Sequence, residues 1–436
     1  MNPISSHPPG RVATRRRSPS VFAAELCVAA LALLLAACSL RGADEAGRAG
    51  FSAAGLEAVT EALQDAVDRG EVGGIVTLVF RRGEVAQVNA LGLSDPGAHI
   101  PMARDSIFRI ASMSKPIAAV ATLILLDEGR FELDDPVDPW LPELANPRVL
   151  RDPSAALDSG YPSPRPIRVI DLLTHRSGIV TPRDEPGPLR DALTKADADN
   201  AVGYDKWLEW IGELPLAHEP GSTFSYGNSY DVLGIFVERV SGMKYPDFLR
   251  ERLFEPLGMN DTAFRVPPEK HARFAALQSL GRVPASWIPS MEEVPGYPSA
   301  AGGLYSTADD YLKLARMLLG KGKLGDVRIL STRAVEAMTT DYLTEEQRKG
   351  LPFGGPEGYW NGQGFGLGVA LQLTPNVRTS ELGVASMGSF GWPGVFGTWW
   401  EADPKQDMIL IFLVPGGDAK PARWAFQAAV YDAIQR

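Results

Sequence analysis

Strand-like runs stand at both ends of this chain, with helical pieces between them. Near the start, "GGIVTLVFRRG" and "EVAQVNALGLSD" meet at Arg82-Gly83 as the two arms of a hairpin would. Near the end come "FGLGVALQL", "GVFGTWWEAD" and "QDMILIFLV", rich in the β-branched and aromatic residues that favour strands. A helical pattern from about Ala53 to Asp68 precedes the first set, and "ARWAFQAAVYDAIQR" follows the last. This arrangement predicts an α+β fold with one mainly antiparallel sheet built from both chain ends, flanked by helices. The sheet segments are expected over about 53–112 and 296–436, and a mostly helical inserted region over about 113–295. The middle is rich in Pro and Gly, as in "LDSGYPSPRP" and "VPASWIPSMEEVPGYPSAAGG".

With 436 residues, 45% of them hydrophobic, the chain can bury a sizeable core. Its net charge of -10 is unevenly spread: before Cys38, four arginines (Arg11, Arg15, Arg16, Arg17) against Glu25 leave +3, so residues 38–436 carry -13. An acidic body argues against nucleic acid and other polyanionic partners. The basic stretch "RVATRRRSPS" runs into "VFAAELCVAALALLLAAC", which is short for a membrane span and contains Glu25. Residues 1–37 therefore read as a secretory signal peptide. It closes on Leu35-Ala36-Ala37-Cys38, which resembles the lipobox of bacterial lipoproteins and implies cleavage before a lipidated Cys38. The expectation is an exported chain, lipid-anchored in the bacterial cell envelope and facing the periplasm, with a linker over 38–52.

The only cysteines are Cys27 and Cys38, so the body after the linker has neither a disulfide nor a thiolate nucleophile. Its histidines show no HExxH or i, i+4 pairing, which removes the usual zinc patterns.

A G-x-S-x-G elbow is absent too. The alternative is S-x-x-K, in which residues i and i+3 share a helical face and the amine can reach the hydroxyl. It occurs at Ser112–Lys115 and at Ser241–Lys244. Ser241-Gly242 follows the helical "DVLGIFVERV" and reads as a C-terminal turn. Pro116 belongs in a first helical turn, which places Ser112 at or just before the amino end of a helix ending near Gly129. There its N–H lies at the positive end of the helix dipole and can stabilise an oxyanion. Lys115 would share that face, partly desolvated by "IAAVATLILL", while Ser114 lies about 200° around the helix from Ser112. A plain N-cap role for Ser112 fits the same residues. Further along, Tyr226-Gly227-Asn228 sits in the turn-rich "GSTFSYGNSYDVLG", where a hydroxyl and an amide can face a cleft.

S-x-x-K at "SMSK" followed by Y-x-N at "YGN" resembles the motif order of serine β-lactamases and penicillin-binding proteins. Across residues 55–436, "IRVIDLLTHRSGI", "FLRERLFEPLGM" and "AGGLYSTADDYLKLARMLL" look like the class C β-lactamase-like branch. That resemblance implies a β-lactamase/DD-peptidase-like αβα sandwich over 53–436, and it makes His175 of "LLTHRSG" structural. Where those relatives carry K-T-G, this chain has Trp392-Pro393-Gly394 in "SFGWPGVFGTWW", which is similar to the W-G-G of family VIII carboxylesterases. An indole offers an apolar face and no cation, which suits a neutral ester better than an anionic β-lactam. Pro393 removes an N–H and favours an edge or bulged strand position.

The resemblance implies acyl transfer through Ser112, with Lys115 and Tyr226 handling the proton and either able to serve as base. It implies an oxyanion hole from the N–H groups of Ser112 and Val395, and substrate contacts from Asn228, Trp392 and Gly394. Trp287, Tyr359 and Trp360, in Gly/Pro-rich loops, are candidates for an acyl pocket. No metal or organic cofactor is implied. The leading expectation is a serine hydrolase of short-acyl carboxylic esters. The alternatives are a β-lactamase or DD-carboxypeptidase acting on cell-wall-type amides, and a non-catalytic, membrane-tethered binding protein.

Overall fold

The computed structural model describes residues 47, 49–152, 154–182, 187–198, 203–278, 291–292, 296–349, 359–374, 381–417 and 419–435. The leader, Cys38 and Trp287 lie outside them.

Eight strands form one antiparallel sheet: β1 (Gly74–Arg81), β2 (Glu84–Asp95), β3 (Ile100–Pro101), β4 (Gln363–Phe365), β5 (Ala370–Gln372), β6 (Phe390–Pro393), β7 (Trp399–Asp403) and β8 (Met408–Leu413). Their order across the sheet is β4-β5-β6-β7-β8-β1-β2-β3. The chain ends meet in its middle, where β1 pairs with β8 from Val76↔Leu413 to Arg81↔Met408. β1 and β2 close through Arg82-Gly83 with φ of +50° and +87°. Positive φ at both turn residues matches the twist of the flanking strands. "FGLGVALQL", expected as one strand, is the β4–β5 hairpin instead: Gly366 N–H donates to Val369 C=O at 2.9 Å and turns the chain.

The helices that bear on the site are α1 (Ala53–Asp68), α2 (Ser114–Asp127), α3 (Ser229–Ser241), α4 (Ala308–Leu319) and α5 (Ala419–Asp432). The last begins before the expected Ala422 and admits Pro421 in its first turn, where the missing N–H costs nothing. Because strand side chains alternate, β1 and β8 serve two cores. Ile75, Val79, Leu410 and Phe412 pack on Leu56, Val59 and Leu63 of α1 and on Phe426 and Val430 of α5. Val76, Leu78, Ile409 and Ile411 face the larger core, which contains α2, α3 and α4. With both faces covered, β8 can be apolar throughout, as "MILIFL" is. The architecture is the αβα sandwich. α2 runs through the larger core and is buried at every position from Ser114 to Leu125, which explains why its sequence is hydrophobic all round.

Candidate active site

Strand residues Phe108–Arg109 pair with Tyr305–Ser306, and Ile110 N–H donates to Leu304 C=O at 3.1 Å. The chain then passes through Ala111 at φ +44°, a left-handed angle that costs an L-residue free energy. One 3₁₀ turn, Ala111–Met113, leads into α2. Ser112 thus stands just ahead of the helix, and the N-cap position belongs to Met113, which makes no side-chain cap bond. Lys115 Nζ donates to Ser112 Oγ at 3.3 Å and to Ala301 C=O at 2.9 Å. The lysine is only 4% exposed, so these contacts replace most of its hydration. Ser114 points away: its buried Oγ accepts the Leu304 N–H at 3.2 Å.

The Tyr226-Gly227-Asn228 turn leads into α3 and meets this pair. Lys115 Nζ lies 4.5 Å from the centroid of the Tyr226 ring, within cation–π range. Gly227 passes close to the chain behind it: a Cβ there would stand 2.5 Å from Ile179 O and 2.8 Å from Val180 Cα, which excludes any side chain. Asn228 takes the N-cap position of α3, where its carbonyl accepts the Asp231 N–H at 3.0 Å.

Asp231 is a participant the sequence reading missed. Its Oδ1 accepts Ser299 Oγ–H at 2.8 Å and Ala301 N–H at 3.1 Å, which anchors the residue whose carbonyl holds Lys115. Burial raises the Asp231 carboxyl above its ordinary range, opposed by those two bonds and by Lys115. The available signal was an acidic residue three positions past Asn228, in the first turn of a helix. The second S-x-x-K does not approach the site. Ser241 ends α3, Gly242 follows at φ +74°, and Lys244 pairs with Glu238.

Trp392 of β6 is buried and donates its indole N–H to Tyr226 Oη at 3.3 Å. The expectation that Pro393 marks an edge or bulge holds only locally: β6 as a whole runs between β5 and β7, but Pro393 is its last residue and stands at a local edge beyond the residues that β5 pairs. The strand tolerates proline because β5 pairs only Phe390 and Gly391, so no β5 carbonyl waits for the missing N–H. At Gly394 a Cβ would stand 2.2 Å from Thr398 Oγ1 and 2.4 Å from Ile110 O. The glycine lets the β6–β7 turn press against the strand leading to Ser112, where Thr398 Oγ1–H also bonds Ile110 C=O at 3.2 Å. Phe396 of the same turn packs on Ala111, which sets Val395 beside the Ser112 turn. Among the described residues, neither the Ser112 nor the Val395 N–H has an acceptor within the chain. Tyr359 and Trp360, candidates for an acyl pocket, are buried with Tyr226, Phe224, Phe365 and Trp392 in one aromatic cluster.

The arrangement joins a serine hydroxyl, a buried ammonium, a phenol and two unsatisfied amides, the parts needed for nucleophilic acyl transfer. Comparison with known proteins agrees. The sequence profile described as Beta-lactamase matches residues 59–431. Protein Rv1367c of Mycobacterium tuberculosis is 39% identical over 82% of this chain and 90% of its own length. Esterase EstB of Burkholderia gladioli is 31% identical over 87% of this chain and 96% of its own. Among solved structures, EstCE1, a hydrolase with promiscuous acyltransferase activity, superposes with a TM-score of 0.72 at 26% identity, covering 86% of this chain and 98% of that one. The chain belongs to the beta-lactamase family and is a serine hydrolase.

Proposed function

We propose that this chain hydrolyses carboxylic esters of short acyl groups through an acyl-enzyme on Ser112. The observation that carries the reading is the Ser112 Oγ–Lys115 Nζ contact of 3.3 Å, closed over by Tyr226 and by the uncharged Trp392. Ser112 Oγ attacks the ester carbonyl while its proton passes to the Lys115/Tyr226 pair. The N–H groups of Ser112 and Val395 hold the oxyanion. The pair then protonates the departing alkoxide as the C–O bond breaks, leaving the acyl group on Ser112. Water, deprotonated by the same pair, releases the acid and restores the serine. Asn228 and Trp392 orient the substrate. An indole in place of a lysine on β6 gives no ionic partner for a substrate carboxylate, which favours neutral esters over cell-wall-type amides. The esterase among the relatives supports the same choice.

The test compares turnover of a short p-nitrophenyl ester and of a chromogenic cephalosporin, with Ser112→Ala as control. Ester turnover that disappears in Ser112→Ala supports the reading. Turnover surviving that substitution would sink it, and efficient cephalosporin turnover without ester turnover would replace it with the lactamase reading. The basic leader and Cys38 further support an exported, lipid-anchored protein; mass spectrometry of membrane-extracted protein should find the acylated Cys38 terminus.

A further inference from the structure

His175 lies outside the chemistry just described, yet it touches the Tyr226 turn in three ways. Its Nδ1 accepts the Gly227 N–H at 3.3 Å. Its carbonyl accepts the Ser225 N–H at 2.7 Å, so both neighbours of Tyr226 are bonded to this one residue. Its ring lies 4.4 Å from the Tyr226 ring and 4.8 Å from that of Tyr230, tilted by 37° and 39°. Tyr230 is itself anchored, donating its hydroxyl to Leu173 C=O at 2.7 Å. Phe224 and Phe365 close the other sides of the imidazole, at 5.6 Å and 5.7 Å.

The backbone shows that this position is held against local preference. His175 has φ +54°, in the left-handed region, one of few non-glycine residues so placed. Nδ1 is an acceptor, so the neutral ring carries its hydrogen on Nε2, a fully buried atom without a hydrogen-bond partner among the described residues. A residue serving only to fill space would avoid a strained backbone and a buried, unpaired N–H. The charged and titratable groups around the ring are Lys115, Tyr226 and Tyr230. Burial, and after it the Lys115 ammonium, push the His175 pKa well below its ordinary range, which keeps Nδ1 free to accept.

We infer that His175 is a positioning residue for the catalytic tyrosine: as a neutral imidazole it accepts the Gly227 amide and packs, tilted, against the Tyr226 ring. It thereby sets the phenol against Lys115 and Trp392. The inference rests on the role proposed above for Ser112, Lys115 and Tyr226. It assigns His175 no contact with substrate and no part in proton transfer. The requirement is specific in geometry: an acceptor at the Nδ1 position on a backbone of positive φ. Asparagine meets both conditions, since its Oδ1 falls near Nδ1 and it tolerates the left-handed region. Glutamine places its acceptor near Nε2, and phenylalanine keeps the ring but has none.

The experiment measures kcat and KM on a short p-nitrophenyl ester for wild type, Ser112→Ala, His175→Asn, His175→Gln and His175→Phe, with thermal midpoints for each. Loss of the anchor should lower kcat about 100-fold in His175→Phe and His175→Gln, because a misplaced catalytic group costs about that much, while KM stays within roughly 3-fold. His175→Asn should keep kcat within about 10-fold of wild type, although it loses the aromatic ring and its packing. If the phenylalanine protein does not fold, the asparagine–glutamine pair carries the comparison. The thermal midpoints report the added backbone cost of glutamine at positive φ, so that a kcat loss at an unchanged midpoint reads the acceptor alone. Wild-type kcat in His175→Gln, or a loss in His175→Asn equal to that in His175→Gln, overturns the inference. Full turnover by Ser112→Ala would instead remove the esterase mechanism itself; an inactive Ser112→Ala beside an unimpaired His175→Gln removes only the role of His175.

Discussion

The indole N–H of Trp392 points at the hydroxyl oxygen of Tyr226, Nε1 to Oη at 3.3 Å, and the two rings lie 5.7 Å apart. A neutral donor therefore occupies one side of the phenol oxygen, and Lys115 lies across its ring. Trp392→Phe keeps most of the packing and removes the donor. A single such bond is worth on the order of 1 kcal/mol, so kcat on a short ester should fall roughly 5- to 10-fold. The thermal midpoint should change little. An unchanged kcat would mean that the bond plays no part in the role proposed for Tyr226.

The proposed role of the Val395 N–H as second oxyanion donor can be tested without disturbing the core, because Val395 is 48% exposed. Val395→Ala retains the N–H and should leave kcat nearly as it is. Val395→Pro deletes it, and loss of one oxyanion donor costs about 100- to 1000-fold in kcat. Equal activity in the two variants would place the oxyanion elsewhere.

Lys115 is held by Ser112 Oγ and the Ala301 carbonyl, and Asp231 accepts the N–H of the same Ala301. Asp231→Asn keeps an acceptor of the same shape but gives up the negative charge near the ammonium. The expected result is a drop in kcat of about 10-fold, smaller than for Lys115→Met, which should lose at least about 1000-fold. Steady-state kinetics on both variants would show the order; a larger loss in Asp231→Asn would contradict it.

Away from the site, Tyr431 Oη lies 2.9 Å from Glu401 Oε1 and 2.7 Å from Asp403 Oδ2. One hydroxyl hydrogen serves only one of these oxygens, so a protonated Glu401 best satisfies both contacts. Burial, opposed by the Tyr431 bond and reinforced by Asp403, pushes the Glu401 pKa up to about 8. A carboxyl with a raised folded-state pKa binds its proton more tightly when folded. Its contribution to stability is present at low pH and is lost as pH rises from the unfolded value, about 4.5, to about 8. The loss is on the order of a few kcal/mol, levelling off above that pH. Chemical denaturation across this range should show the decline, and Glu401→Gln should flatten it. A slope that the substitution leaves intact would assign the dependence to other groups.

Much of this was legible in the chain itself. Hydrophobic alternation and the paired Arg82-Gly83 turn determined that both ends form strands, because a period of two and a positive-φ turn are local properties. Ser112–Lys115 was legible because i, i+3 spacing beside a first-turn proline brings two side chains together within a single helical turn. The β4–β5 hairpin was not, since a turn between short strands leaves the apolar run unbroken. Only the tertiary structure decided the rest. Tyr226 reaches Lys115, and Trp392 reaches Tyr226, from distant segments, and sequence spacing does not determine such distances. Pro393 fits at the end of an interior strand because the neighbouring strand stops short of it. Ala301 and Asp231 have no motif of their own, and "LLTHRSG" marked His175 only as structural. Their places follow from where a carbonyl, a carboxylate and an imidazole nitrogen come to rest when α2, α3 and the loops beside them pack, and packing is set by the whole core.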